Sequence, residues 1–240
     1  MTEQFKVTAG FRRRADGRLP FDAPGWLAVN EQIRLIKPLI KKYLHGKMAD
    51  IGCGTKPLQG LCSPYVTEHI GIDHNEMFHD SSNVDIFADA YNIPVPDGYF
   101  DCALSTDVFE HLEEPQKAFQ ETWRILKGGG ILVLAVPFQW HLHEQPRDFF
   151  RYSRFGLEYL ATQAGFRKIV IRPSGGFFMA VALELAYMVY FSTDFKIFLP
   201  VRVLLMNVFL VIGWLLNKVD PTKNRLPQSY VCVFRKEKLG

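Results

Sequence analysis

Cysteine is scarce and scattered. The four residues are Cys53, Cys62, Cys102 and Cys232, and no two form a CxxC pair. That spacing suggests neither a zinc site nor a disulfide framework, so a reducing cytoplasm is the expected setting. The N-terminus, MTEQFKVTAGFRRR, lacks the apolar run of a secretory signal. An excess of one charge is also missing, since the net charge is only +3. Dedicated nucleic-acid binders carry a basic stripe. The nearest candidate here is Arg12, Arg13, Arg14 and Arg18, which reads as a solvated arm that anionic headgroups could attract. No nucleic-acid partner is expected. There is no internal repeat or low-complexity segment. Apolar residues are plentiful: 48% hydrophobic against 22% charged excludes a disordered chain, and the length allows one sizeable core.

Residues 1–25 read as an irregular arm. Through 26–44 the apolar residues Leu27, Ile33, Ile36, Leu39, Ile40 and Tyr43 recur at helical spacing, with Pro38 marking a kink or break. Strand patterns follow, one ending at Ile51 and others over 65–73, 84–90, 99–107, 130–138, 167–173 and 229–236. Helices fall at 113–127 and 153–166, the second with Ser153 as its N-cap. This alternation predicts an α/β fold, a doubly wound and mostly parallel seven-stranded sheet with a hydrophobic helical insertion before the last strand. The expected organisation is an arm and helix over 1–45, a core over 46–173 plus 229–236, and the insertion over 174–228.

The first strand runs into Gly52-Cys53-Gly54. In an open α/β sheet, ligands sit beyond the carboxyl ends of the strands. A dinucleotide fingerprint needs a third glycine where Pro57 stands, and a P-loop needs Gly-Lys-Ser/Thr, which is absent. Other residues suit a different ligand. Asp73 ends the second strand, where a carboxylate can accept both hydroxyls of a ribose. Asp89, followed by Ala90, ends the third and could accept from an adenine amine. Asp50 precedes the glycines, placed to meet an ammonium directly or through water. Adenine, free ribose hydroxyls and an amino-acid tail without phosphate describe S-adenosylmethionine.

The segments ADIGCGTKP, GIDHN, ADAYNIPVPDGYFD, STDVFEHL and ILKGGGILVLAVPF, over roughly 46–138, resemble the class I S-adenosylmethionine-dependent methyltransferases. The resemblance implies that Asp50, Gly52 and Gly54 meet the methionine end of the cofactor and that Asp73 holds the ribose. It places Asp89 and Ala90 beside the adenine, and Thr106 and Asp107 along the pocket. Within VFEHL, Glu110 and His111 are expected to shape a helix start below the pocket rather than to act as a base.

The fifth strand leads into QWHLHEQPRDFFRYS, 139–153, dense in titratable and aromatic residues. It reads as an acceptor loop with His143 as general base and Glu144 or Asp148 as its orienter. Arg147 and Arg151 would hold an anionic acceptor, with His141 and Tyr152 completing the substrate side. A metal is not expected, because HxHE lacks a further ligand nearby. HEQPRDFFRYS resembles a subgroup of these methyltransferases often linked to surface-polysaccharide pathways.

Two apolar runs, 177–191 and 197–216, fill the insertion. The first is short for a membrane span and carries Glu184. A hairpin dipping into one leaflet is the favoured expectation, with Lys218, Lys223 and Arg225 at headgroups. Burial in the fold, or pairing of two copies into a dimer, is the alternative. An antiparallel hairpin turning at 192–196 would set Glu184 against Arg202 as an ion pair. Together these readings describe a peripheral methyltransferase on the inner membrane face that O-methylates a sugar or lipid-linked glycan. An isoprenoid quinone or other lipid is the second acceptor class, and a cofactor-binding module without turnover is the reading of another kind.

Overall fold

This computed structural model describes residue 14 and residues 16–74, 81–191 and 199–237. Strands β1 (Lys47–Ile51), β2 (Glu68–Asp73), β3 (Ile86–Phe87), β4 (Phe100–Thr106), β5 (Leu126–Pro137), β6 (Phe166–Ser174) and β7 (Ser229–Lys236) form one sheet. Its order is β3-β2-β1-β4-β5-β7-β6. The first five strands pair in parallel, and β7 runs antiparallel to both β5 and β6. The helices are α1 (Trp26–Tyr43), α2 (Gln59–Cys62), α3 (Pro115–Ile125), α4 (Arg154–Gln163), α5 (Phe177–Phe191) and α6 (Leu199–Asn217), with a 3-10 turn at Phe109–His111. The expected seven-stranded doubly wound sheet is present.

The continuous apolar run of β5 is explained by burial on both faces. Because strand side chains alternate, Leu132, Leu134 and Val136 feed a core with Phe119 and Leu157 from α3 and α4. Ile131, Val133 and Ala135 feed a second core with Ile33, Ile36 and Ile40 from α1. Ser153 caps α4 as expected, its hydroxyl accepting from the Gly156 N–H.

Several boundaries differ from expectation. Helix α1 continues past Pro38 to Tyr43, so the proline does not end it. Helix α3 stops at Ile125, and β5 begins at Leu126 opposite Phe100, with a register shift absorbing the glycines that follow. Strand β3 is two residues long, which leaves Asp89 and Ala90 in the turn beyond it.

Helices α5 and α6 fall on the two apolar runs. Met179, Leu183 and Tyr187 of α5 and Met206 and Leu210 of α6 pack with Trp26 and Leu27 at the start of α1. Asn207, a polar residue in an apolar run, accepts a 2.9 Å bond from the Trp26 indole. Asp220 turns back to accept from Phe178 N at the start of α5. Core burial of both runs does not hold for α6. Leu204, Val208, Val211, Ile212 and Leu215, spaced along one helical face, are all exposed. Helix α6 is long and apolar enough to cross a membrane, with mean hydropathy 2.1 and 17% of its span buried. The expected Glu184–Arg202 pair is not formed among the described residues. Glu184 lies 3.9 Å from the His141 ring, and Arg202 stands 5.7 Å over the ring of Tyr190. The turn expected at 192–196 lies outside the described residues.

Candidate active site

The carboxyl ends of β1, β2 and β4 converge where the first glycine loop leaves the sheet. Gly52 has φ +70, and a Cβ there would meet Val108 at 2.3 Å, so this glycine serves packing. Gly54 has φ +49, yet a Cβ there would meet nothing within 4 Å. Its main chain faces open space, as close approach of a ligand requires. Asp73 organises the loop, one oxygen accepting from Gly54 N at 2.7 Å and the other from His74 N at 2.8 Å. These features fit a ligand that approaches the main chain at Gly54 beside the Asp73 carboxylate.

Asp50 is buried and held 2.7 Å from His69 Nε2, a partner that nothing in the sequence pointed to. The direct ammonium contact expected of it would share that carboxylate with His69. Asp89, more than half exposed, sits 3.0 Å from His74 Nε2, and Ala90 is half-buried beside it. Thr106 ends β4. Asp107 follows with φ 55, its carboxylate accepting from Gln32 Nε2 of α1 at 2.9 Å. Gln32 is a second residue that sequence reasoning missed, because α1 reaches the site only through tertiary packing.

The expected acceptor loop is stitched onto the 3-10 turn after β4. Tyr152 donates its hydroxyl to Phe109 O at 2.8 Å. Phe149 N and Phe150 N both donate to Glu110 O. The His111 ring bonds Arg147 O through Nδ1 at 2.5 Å, and since a carbonyl only accepts, that nitrogen carries the proton. Two expectations are corrected here. Tyr152 is buried and engaged in the clamp, so it is a structural residue rather than a substrate ligand. Arg151 makes a two-pronged contact with Asp148 and also donates to the carbonyls of Trp140, His141 and Phe150. Its guanidinium holds the loop together and is not presented to an anionic acceptor. Arg147 is exposed.

Asp148 Oδ2 accepts from the His143 backbone N–H at 2.9 Å and lies 3.3 Å from the ring Nδ1, which itself makes no hydrogen bond. Of the two orienters expected, Glu144 instead approaches His111, Oε2 to Nε2 at 3.6 Å, from a left-handed backbone at φ 51. Burial acts to raise the Asp148 carboxyl, but Arg151 and the His143 N–H outweigh it and hold it down at about 2. Burial, then the neighbouring His111, pushes His143 below the usual imidazole range. His141 bridges this cluster and α5, its ring 6.4 Å from that of His143 and 4.3 Å from that of Tyr187, and burial, then His143, pushes it down to about 4. It therefore ties the loop to the apolar hairpin.

Glu110 is wholly buried, and both carboxylate oxygens lack a hydrogen-bond partner. Burial, reinforced by Asp107, pushes its carboxyl well above the ordinary range. The expected role of Glu110 and His111 as a simple helix start is incomplete, because the fold sets both beside His143. Glu110, His111 and His143 each offer a ligand atom within 4.8 Å of the others.

Comparison with known proteins places this geometry. Residues 49–134 match a family described as a methyltransferase domain. A curated relative is the chloroplastic 2-methyl-6-phytyl-1,4-hydroquinone methyltransferase 1 of Oryza sativa subsp. japonica. It is 28% identical over 110 residues, 40% of this chain and 32% of that protein. The chain spans about a third of the length of the curated relatives it matches. A SAM-dependent methyltransferase structure from Archaeoglobus fulgidus superimposes with TM-score 0.55 at 20% identity, covering 88% of this chain and 94% of that one. The [4+2]-cyclase SpnF matches equally well, with TM-score 0.55, 20% identity and coverage of 89% and 83%. The cofactor that the domain and the SAM-dependent neighbour imply is S-adenosylmethionine.

Proposed function

We propose that the chain is an S-adenosylmethionine-dependent methyltransferase that O-methylates a sugar or lipid-linked glycan at the inner membrane surface, a reading supported by the methyltransferase-domain match over residues 49–134. The observation that carries this reading is the position of the Glu110–His111–His143 cluster, with Glu110 and His111 four and five residues past the end of β4 and His143 six past the end of β5. Gly54 and Asp73 lie beyond neighbouring strand ends of the same sheet. When bound, the cofactor supplies a sulfonium methyl group that departs to leave a neutral thioether. Gly54 and Asp73 would hold it, with Thr106 and Asp107 along the same rim.

The chain's own residues do the rest. The clamp from Tyr152, Phe149 and Phe150 fixes the cluster against the strand ends. Such positioning is a main source of rate in a methyl transfer, which needs reacting atoms about 3–3.5 Å apart. The acceptor hydroxyl is activated at His143, whose orienter Asp148 is itself locked by Arg151. With Arg151 engaged, an uncharged hydroxyl suits the loop better than a phosphate. A lipid tail on the acceptor is favoured by the contact between His141 and Tyr187, which sets the loop beside the apolar hairpin. The exposed face of α6 would rest in the headgroup region, as monotopic helices do.

The second reading, methylation of an isoprenoid quinone or another lipid, is favoured by the relative whose name specifies a phytyl hydroquinone. A binding module without turnover is the third, and the fold alone does not decide among them, since a [4+2]-cyclase shares it. Labelled-methyl transfer from S-adenosylmethionine into a membrane lipid extract, with identification of the product, separates them. A labelled glycolipid supports the first reading and a labelled quinone the second. No labelled product with a cofactor-binding protein would leave the module. His143→Ala should abolish transfer while cofactor affinity stays within about twofold, a difference of roughly 0.4 kcal/mol.

A further inference from the structure

We propose that Glu110, His111 and His143 form a three-ligand site for a divalent transition metal, zinc by its ligand set, open toward the acceptor. The inference rests on the methyltransferase reading and says how that site activates its acceptor.

Three independent features point to a cation. First, Glu110 is fully buried with neither carboxylate oxygen hydrogen-bonded. A buried carboxylate without partners is costly, and buried charges are normally paired or bound to metal. Second, the ligand atoms are already gathered. His111 Nε2 lies 3.9 Å from Glu110 Oε1, and all three ligand atoms fall within 4.8 Å of one another. Ligands at ~2.0–2.2 Å from a shared metal stand about 3–4 Å apart. A small inward movement therefore closes the set. Third, an outer partner is in place at His111. His111 donates Nδ1–H to Arg147 O, which leaves Nε2 as the ring's lone-pair nitrogen, facing Glu110. His143 Nδ1 lies 3.3 Å from Asp148 Oδ2 without a hydrogen bond between them, so this ring keeps an unpartnered buried nitrogen beside the cluster. Metal-bound histidines almost always have such a carbonyl or carboxylate at the other nitrogen.

The ligand set decides the metal class. Two imidazoles and one carboxylate suit zinc or a neighbouring first-row ion better than calcium or magnesium, which prefer oxygen throughout. Three protein ligands with a fourth position left open is the arrangement of a catalytic zinc site. The opening lies on the histidine side, since Glu110 is sealed while the side chains of His111 and His143 are 13% and 22% exposed. A hydroxyl taken there would release its proton to water through that opening and keep its electron pair as a nucleophile. In this arrangement His143 acts as a ligand, and the metal replaces it as the source of activation.

The test uses the full chain, stripped with chelator and then titrated with cobalt chloride, followed by visible d–d absorption. Zinc chloride competition is read by calorimetry. One equivalent per chain is expected, with the spectrum of a four- or five-coordinate ion. Glu110→Gln, which keeps the side-chain shape, and His143→Ala should each weaken binding by more than the ~10–100-fold that loss of an outer partner costs. Circular dichroism and binding of S-adenosylhomocysteine report that each variant is folded. Absence of saturable binding, or binding that both variants leave intact, overturns the proposal. If the stripped chain still binds S-adenosylhomocysteine, only the metal inference fails. If it binds neither, the methyltransferase reading fails with it.

Discussion

Replacing Gly54 by alanine separates a ligand-facing glycine from a packing one. The residue has φ +49, so alanine there carries the left-handed penalty of about 1–2 kcal/mol. A stiffer unfolded chain offsets about 0.4–1 kcal/mol of that. The added methyl meets no atom within 4 Å, so no clash term is added. The net loss is about 1 kcal/mol, which lowers Tm by roughly 2–4 °C in a domain of this size. Cofactor binding should suffer far more. A methyl forced into a fitted contact costs about 1–3 kcal/mol, which is a roughly 5- to 150-fold weaker Kd. Gly52→Ala is the contrast, because its Cβ would fall 2.3 Å from Val108 and damage the fold itself. Calorimetry with S-adenosylhomocysteine gives Kd, and thermal melts give Tm. If Gly54→Ala binds that ligand as tightly as the parent, the open face of the loop is not a cofactor surface and the site has been misplaced.

Tyr152→Phe removes the hydroxyl that donates to Phe109 O and should cost about 1 kcal/mol in urea unfolding, with a further fall in turnover as the clamp loosens. An unchanged midpoint would mean that the loop is held by other contacts. Asn207→Leu leaves the Trp26 indole without its acceptor and should destabilise by about 1–3 kcal/mol despite the more apolar side chain. A stabilised variant would contradict this. Burial acts to raise the Asp85 carboxyl, but Lys56 and the Gly71 N–H outweigh it and hold it below its ordinary value. A lowered folded pKa contributes stability that is present above the unfolded value of about 3.9 and is lost as pH falls through the folded one. The advantage of the parent over Asp85→Asn in urea midpoints should therefore be largest near neutral pH and vanish in acid. A constant difference would refute the ion pair that Lys56 Nζ forms with Asp85 Oδ2 at 2.5 Å. Finally, Leu204→Asp with Ile212→Asp, on the exposed face of α6, should reduce sedimentation with anionic vesicles and leave S-adenosylhomocysteine affinity unchanged. Undiminished sedimentation would argue against that face as the membrane surface.

The order of apolar runs and turns settled the sheet, because burial on two faces leaves β5 little choice but a central strand. It also fixed the span of α5 and the carboxylate at the end of β2, since those depend on neighbours along the chain. Side-chain engagement was not legible. Arg151 looked available in the sequence, and only the folded loop shows its donors taken up by Asp148 and three carbonyls. Glu144 and Asp148 were equivalent candidates until loop geometry turned one to His111 and the other to His143. His143 and the Glu110–His111 pair stand 32 residues apart, with α3 and β5 between them. A one-dimensional pattern carries no information about which loops meet at adjacent strand ends. The parallel pairing of β4 with β5 does that, and with it decides what chemistry these three residues can share.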